Sequence, residues 1–133
     1  MMKVILGIGC DRDTPLPTLE TTVDLALERA KLTRDSVQAL ATIDKKNDEL
    51  ALLALSSQHN WPLEFYSAAQ LAVVEVPNPS EVVRKYMGTP AVAEAAALLA
   101  ANTNMKDLIV EKVKYRGADN RNATVSIVRM KNE

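Results

Sequence analysis

A turn at residues 7–14 contains the first side chains that could bind or react with a ligand. These are Gly7, Gly9, Cys10, Arg12 and Thr14. The two glycines would let backbone N–H groups approach an anion, and the arginine could pair with a carboxylate or a phosphate. The segment lacks the third glycine of a dinucleotide-binding fingerprint and the Gly-Lys-Ser/Thr of a P-loop. The pattern is therefore typical either of an anion-binding turn or of a tight turn without a ligand.

Cys10 could act as a nucleophile if the neighbouring Arg12 and a following helix start lowered the pKa of its thiol. A small buried residue at the end of a strand is the simpler interpretation, and we favour it. The chain has one cysteine and one histidine, and its His, Cys and carboxylate residues do not have the spacing of a metal site. We therefore expect no metal bound by the protein itself.

A second polar segment, residues 41–49, offers hydrogen-bond donors and acceptors at short range. They are Thr42, Asp44, Lys46 and Asp48. One hypothesis is that this segment contributes to the same ligand site as the first turn. The alternative is a charged loop that caps the following helix through Asn47 or Asp48. Capping accounts for Asp48 but leaves Lys46 unexplained.

Two further turns, Asn78-Pro-Ser-Glu81 and Gly88-Thr-Pro90, predict helix ends whose free backbone groups could point at an anion. In the first, the asparagine is expected to be the N-cap, the proline the first helical residue and the glutamate part of a capping box. In the second, the glycine should end that helix and the Thr-Pro pair should begin the next. The candidate site residues are Asn78, Ser80, Gly88 and Thr89. Simple capping would also account for both turns.

Composition excludes several classes of function. With 133 residues, 25% of them charged, the chain fits one globular domain over 1–133. Its net charge of −1 gives no overall positive potential that would attract nucleic acid. A single cysteine excludes an internal disulfide, which favours a reducing compartment. The apolar run at 4–8 is shorter than the core of a signal peptide, and no stretch approaches a membrane span. We expect a cytoplasmic protein without nucleic-acid or membrane partners.

Hydrophobic periodicity predicts the elements that must position these residues. Strands are expected at 3–7, 36–43, 63–66, 107–116 and 123–130, and helices at 18–31, 48–57, from 67, at 78–88 and at 89–101. The order β-α-β-α-β-α-α-α-β-β predicts an α/β fold: a three-layer α/β/α sandwich with a mostly parallel mixed sheet and a C-terminal antiparallel hairpin. Ligands of such sheets bind at the carboxyl ends of the strands, where the first two polar segments would lie.

The same turns resemble the family of CobE and the C-terminal domain of CbiG, two proteins of cobalamin biosynthesis. The matching segments are Gly7-Ile-Gly-Cys10 with Arg12 and Thr14, Ala41-Thr-Ile-Asp44 with Lys46, Asp48 and Glu49, Phe65-Tyr-Ser-Ala-Ala-Gln-Leu71, Val76-Pro-Asn-Pro-Ser80, Gly88-Thr89 with Val92-Ala-Glu94, and Ala123-Thr-Val-Ser-Ile-Val-Arg129. Each segment alone is weak evidence, but they follow the family's order. Together they cover nearly the whole chain.

The resemblance implies a protein that acts on or binds a corrin-ring precursor. In the family, CbiG resembles a lactone hydrolase that opens the ring-A lactone of cobalt-precorrin-5A and releases acetaldehyde. Any cobalt would then belong to the substrate, and no cofactor is expected. The alternative is a non-catalytic carrier of a tetrapyrrole intermediate. Such a carrier would work with other cobalamin-pathway enzymes or with a separate subunit that carries the rest of CbiG.

A corrin precursor is a wide macrocycle fringed with carboxylates, so its site needs cations, backbone N–H groups and a flat surface. With this ligand, Arg12, Lys46, the glycine turn and the helix starts at Asn78 and Thr89 would supply the cations and N–H groups. Lactone opening also needs a base for water and an oxyanion site. The hypothesis assigns Asp44 as the base, from its placement alone, and the amides of the glycine turn as the oxyanion site.

Overall fold

The computed structural model describes residues 2–89 and 91–131, in which strands and helices mostly alternate. The strands are β1 Val4–Cys10, β2 Val37–Ile43, β3 Leu63–Tyr66, β4 Leu108–Arg116 and β5 Asn122–Arg129. The helices are α1 Leu16–Ala30, α2 Leu50–His59, α3 Ala68–Ala72, α4 Glu81–Met87 and α5 Ala93–Ala101. None of the helices in these residues is long and apolar enough to cross a membrane.

The strands form one mixed sheet in the order β3-β2-β1-β5-β4. β1 pairs with β2, and β2 with β3, in parallel, whereas β5 is antiparallel to both of its neighbours. In the last hairpin, β5 pairs with β1 inside the sheet, and β4 is therefore the edge strand on that side. Four strands, all but β5, consequently run in the same direction, so their carboxyl ends lie on the same side of the sheet. The predicted mixed sheet with a C-terminal antiparallel hairpin is confirmed.

Helices cover both faces of this sheet, as the three-layer prediction requires. One face packs against α1 and α2 through a core that includes Leu19, Val23 and Leu52. The other face packs against α5 and α3, whose core contribution is mainly small residues from Ala95 to Ala97 together with Leu71. Because alanine side chains are short, α5 can lie close to the sheet.

Two helix starts differ from the sequence prediction. Helix α2 begins after Glu49, and neither Asn47 nor Asp48 caps it, because Asp48 is instead bonded to the neighbouring loop. Helix α4 is capped by Ser80, whose Oγ accepts the N–H of Val83 at 3.2 Å. The predictions of a cap at residue 47 or 48, and of Asn78 as the cap of α4, were therefore wrong.

Several other caps follow the sequence closely. Ser67 and Gln70 form a capping box at the start of α3, where a helix from 67 was predicted. Gly88 ends α4 with φ of 79°, a left-handed conformation that glycine adopts without strain.

Helix α5 begins at Ala93, later than the predicted start at Thr89-Pro90. Pro90 itself lies outside the described residues.

Candidate functional site

A groove of about 490 Å³ opens at the sheet edge where β1 and β4 end. It lies between the exposed part of the sheet, helix α4 and the first turn of α5. Its lining is formed by Gly9, Cys10, Asp11, Lys46, Ser80, Val82, Val83, Tyr86, Met87, Ala91, Val92, Ala93, Glu94, Lys112, Lys114, Arg116, Asn122 and Thr124. This is the size range of small-molecule sites, and the carboxyl ends of strands are where ligands of open α/β sheets bind.

The floor of the groove is a row of residues across three neighbouring strands. Gly9 of β1 pairs with Thr124 of β5, which in turn pairs with Lys114 of β4. A Cβ added to Gly9 would lie 3.9 Å from both the Thr124 and Val92 side chains, an ordinary contact distance. The backbone could therefore accept a side chain at Gly9, and the glycine leaves that space in the groove floor unfilled.

Four cationic side chains surround this floor. Lys112, Lys114 and Arg116 alternate along β4 and all line the groove, as expected for every second residue of a strand. Lys46 contributes from the turn after β2 and is only 8% exposed. In the part of the chain that the structure describes, no carboxylate lies within 4 Å of the amines of Lys46 or Lys114. Neither amine is therefore occupied by an ion pair within these residues.

Helix α4 supplies an apolar wall. Val82 and Tyr86 line the groove although they are 68% and 70% exposed, and Val83 and Met87 lie beside them. No residue of α4 is buried. Exposed aromatic and aliphatic side chains on one wall of a cavity are typical of ligand contact rather than of core packing.

The predicted site residues that the structure brings into this groove are Gly9, Cys10, Lys46 and Ser80. Burial raises the pKa of the Cys10 thiol to about 11, although the nearby Lys46 ammonium acts in the opposite direction. The thiol is therefore protonated at neutral pH, which argues against a nucleophilic role. Of the four, Lys46 is the residue that simple capping had left unexplained.

Gly7 has a packing role. A Cβ at this position would lie 1.8 Å from the backbone oxygen of Ala93 and 3.0 Å from the Cβ of Ala97. Only glycine therefore lets the start of α5 approach β1 this closely. The approach brings the first turn of α5 to the edge of the groove, so Gly7 positions the site without lining it.

Arg12 joins two loops instead of lining the groove. Its guanidinium contacts the carboxylates of Asp48 and Glu49, each at 2.8 Å, and donates to the backbone oxygen of Lys45 at 3.1 Å. This guanidinium holds the pKa of the Asp48 carboxyl below its usual value. The backbone N–H of Asp13 also donates to the Glu49 carboxylate, at 3.2 Å. The turn after β1 is thus tied to the turn after β2.

The buried threonines among the predicted residues hold the backbone. Thr14 donates to the backbone oxygen of Asp11 at 2.7 Å, and Thr42 donates to that of Ile8 at 2.6 Å. Thr89 donates to the backbone oxygen of Ala91 at 3.0 Å. Their hydroxyl protons are used within the protein.

Three other predicted residues lie outside the groove lining. Asp44 is exposed in a single 3₁₀ turn after β2. Asn78 donates its side-chain N–H to Glu111 at 2.7 Å, which fixes the chain before α4 to β4. Gly88 packs near Ala68 at the far end of α4.

The groove residues that the sequence analysis missed come mainly from α4, from β4 and β5, and from residues 91–94 at the start of α5. The alternation of Lys112, Lys114 and Arg116 with Val113 and Tyr115 was visible in the sequence. It indicated a strand with one charged face, but not which part of the sheet that face would meet. In the described residues, no three His, Cys, Asp or Glu side chains are grouped to hold a metal ion.

The fold and the groove define the class of protein: an α/β domain with a cationic, partly apolar groove at the carboxyl ends of its strands. Residues 4–128 match the family described as Cobalamin synthesis G C-terminus. The chain belongs to this family, and the resemblance found in the sequence is confirmed.

Known proteins support the same relationship. The chain is 35% identical over 107 residues to cobalt-precorrin-5A hydrolase from Priestia megaterium, covering 80% of this chain and 29% of the hydrolase. It is 36% identical over 112 residues to protein CobE from a Sinorhizobium species, covering 83% and 72%. The crystal structure of CobE, a protein of the cobalamin (vitamin B12) biosynthetic pathway, superposes with a TM-score of 0.83 at 30% identity, covering 99% and 93%. The chain thus spans under a third of the hydrolase and most of CobE.

Proposed function

We propose that this protein binds a corrin-ring precursor of cobalamin synthesis in the groove between β4, α4 and α5. The observation that carries the proposal is the combination of four cations, Lys46 and the three on β4, with an apolar wall on α4. A corrin precursor combines the same features, a broad apolar ring and a fringe of carboxylates. Relatives named for cobalamin synthesis support the same ligand class.

Binding and delivery of the intermediate is the activity that the groove supports best. The base assigned from the sequence, Asp44, is exposed and does not line the groove, while Arg12 is engaged with Asp48 and Glu49. The partners that follow from this proposal are other enzymes of the cobalamin pathway, or a subunit equivalent to the remaining part of the hydrolase. We place the protein in the cytoplasm, where Cys10, its single cysteine, would stay reduced.

Hydrolysis of the precursor lactone is the second candidate. It is favoured by one observation, the carboxylate of Glu94 on the groove wall. Incubation with cobalt-precorrin-5A discriminates the two. A hydrolase releases acetaldehyde with repeated turnover, whereas a carrier shifts the absorbance of the precursor and releases none.

The binding proposal is tested by titrating the protein with cobalt-precorrin-5A and following the visible absorbance. Lys114→Ala combined with Arg116→Ala should weaken binding about tenfold or more, because a hydrogen bond to a charged group contributes about 1.5–3 kcal/mol. Both side chains are exposed, so the melting temperature should not change. Arg29→Ala, an exposed cation of α1 on the opposite face, is the matched control. Absence of an absorbance change with the wild-type protein would reject the proposal.

A further inference from the structure

Glu94 is a buried carboxylate whose hydrogen bonding is incomplete. It is the second residue of α5, and its side chain is 3% exposed. Its Oε2 lies 3.5 Å from Nζ of Lys112, an ion-pair contact. Yet among the described residues this oxygen has no hydrogen-bond donor. Burying a carboxylate in this way costs free energy unless another group donates a hydrogen bond to the free oxygen.

Asp107, another buried carboxylate, shows what a structural role looks like in this protein. Its side chain is equally buried, but it accepts hydrogen bonds from Thr103 and from Nε and the amino group of Arg129, at 3.2 and 2.8 Å. Those contacts join β5 to the turn before β4. Glu94 has Lys112 as an ion-pair partner and lines the groove. Glu94 and Asp107 are therefore used differently.

The surroundings of Glu94 hold its side chain in place. It lies in the first turn of α5, where the free N–H groups of the helix favour a negative charge. Lys112 is half-buried on β4 and holds the carboxylate from the groove floor. The start of α5 is itself fixed against β1, because Gly7 allows the backbone of Ala93 to approach. The orientation of Glu94 is thus set before a ligand enters.

We propose that Glu94 is a specificity residue of the groove, and that its Oε2 accepts a hydrogen bond from an O–H or N–H group of the bound ligand. This inference rests on the proposed function and narrows it. The ligand is then a polycarboxylate that also presents a donor at the end of α5, between the cations of β4 and the apolar wall of α4. Carboxylates alone would be repelled by Glu94, so the residue selects the orientation in which the donor points at it.

The sign of the effect on affinity makes the proposal testable. If only charge mattered, removing Glu94 from a cationic groove would tighten the binding of a polycarboxylate. If Glu94 accepts a hydrogen bond, removing it weakens binding. Glu94→Met has a similar length and no acceptor, and it should reduce the affinity for cobalt-precorrin-5A about tenfold or more while the melting temperature is kept or raised. Glu94→Gln retains an acceptor oxygen and should lose less.

Asp107→Asn is the matched control, since it removes charge from a buried carboxylate that does not line the groove. It should lower the melting temperature and leave the affinity unchanged. The proposal is overturned if Glu94→Met binds as tightly as the wild type or more tightly, or if both Glu94 variants unfold as readily as Asp107→Asn. Binding by the wild type together with unchanged affinity in the variants rejects the role of Glu94 alone. Absence of binding by the wild type rejects the proposed function and this inference with it.

Discussion

At the residue scale, Gly7 and Gly9 are the same residue type but have different roles in the structure. Both belong to β1, two residues apart, and both point towards the layer that contains α5. Gly7 meets the backbone of Ala93 directly, whereas Gly9 has open space between Thr124 and Val92. The sequence motif does not distinguish the two glycines. Gly7 permits the close packing of α5 on β1, whereas Gly9 leaves the groove floor without a side chain at that position.

The matched pair Gly7→Ala and Gly9→Ala should separate these roles. Gly7→Ala forces α5 away from β1 and should destabilise the protein by about 3 kcal/mol or more, as severe overpacking does. Gly9→Ala should change the free energy of unfolding by less than about 1 kcal/mol, because its Cβ meets only ordinary contacts. It should instead weaken ligand binding by raising the floor. Urea unfolding of both variants measures the difference, and equal stabilities would contradict the assignment.

At the element scale, α4 is the least anchored helix in the described part of the chain. Its caps are well formed, with Ser80 at the start and Gly88 at the end, but none of its residues is buried. Helix α5, in contrast, has seven buried residues. Packing supplies most of the stability of a short helix. Because α4 has well-formed caps but few tertiary contacts, we expect it to be only weakly stabilised.

Hydrogen exchange should therefore be fastest in α4 among the helices of this face. In the free protein its amides should exchange much faster than those of α5, since local opening of α4 exposes little apolar surface. Addition of cobalt-precorrin-5A should slow exchange in α4, where Tyr86 and Val82 would contact the ring, and leave α2 on the opposite face unchanged. Protection of α4 equal to that of α5 before ligand is added would show that the helix is already fixed.

At the scale of the whole molecule, charge is distributed unevenly. The net charge is −1, yet the lining of one groove contains four cations and two carboxylates, Asp11 and Glu94. Net charge therefore gives no indication of the ligand. Local potential in a concave site does, because the surrounding protein focuses it.

The affinity for a polycarboxylate should consequently fall as salt rises. Between about 0.05 and 0.5 M NaCl we expect a decrease of about tenfold, since the Debye length shortens to a few ångströms. The double variant Lys114→Ala with Arg116→Ala should show a shallower dependence on salt, and Arg29→Ala should match the wild type. Absorbance titrations at several salt concentrations test this. A wild-type affinity that does not change with salt would mean that the cations do not contact the ligand.

Much of the fold follows from local features of the sequence. The strands and helices lie near their predicted positions because hydrophobic periodicity and caps such as Ser67 and Gly88 act over a few residues. Helix starts were less predictable. Asn78 and Asp48 are suitable caps in isolation, but a partner from a distant segment, Glu111 or Arg12, uses their side chains. Competition between local and distant hydrogen bonds is not visible in the sequence.

The sequence by itself determined the family, the α/β class and part of the groove, namely Gly9, Cys10, Lys46 and Ser80. Only the tertiary structure decided the rest. The position of β5 between β1 and β4 brings a charged face of β4 beside Gly9, which lies near the other end of the chain. The close packing allowed by Gly7 then brings Glu94 to the same place. Long-range strand order and helix approach depend on the whole core, so no local pattern could have assigned these residues.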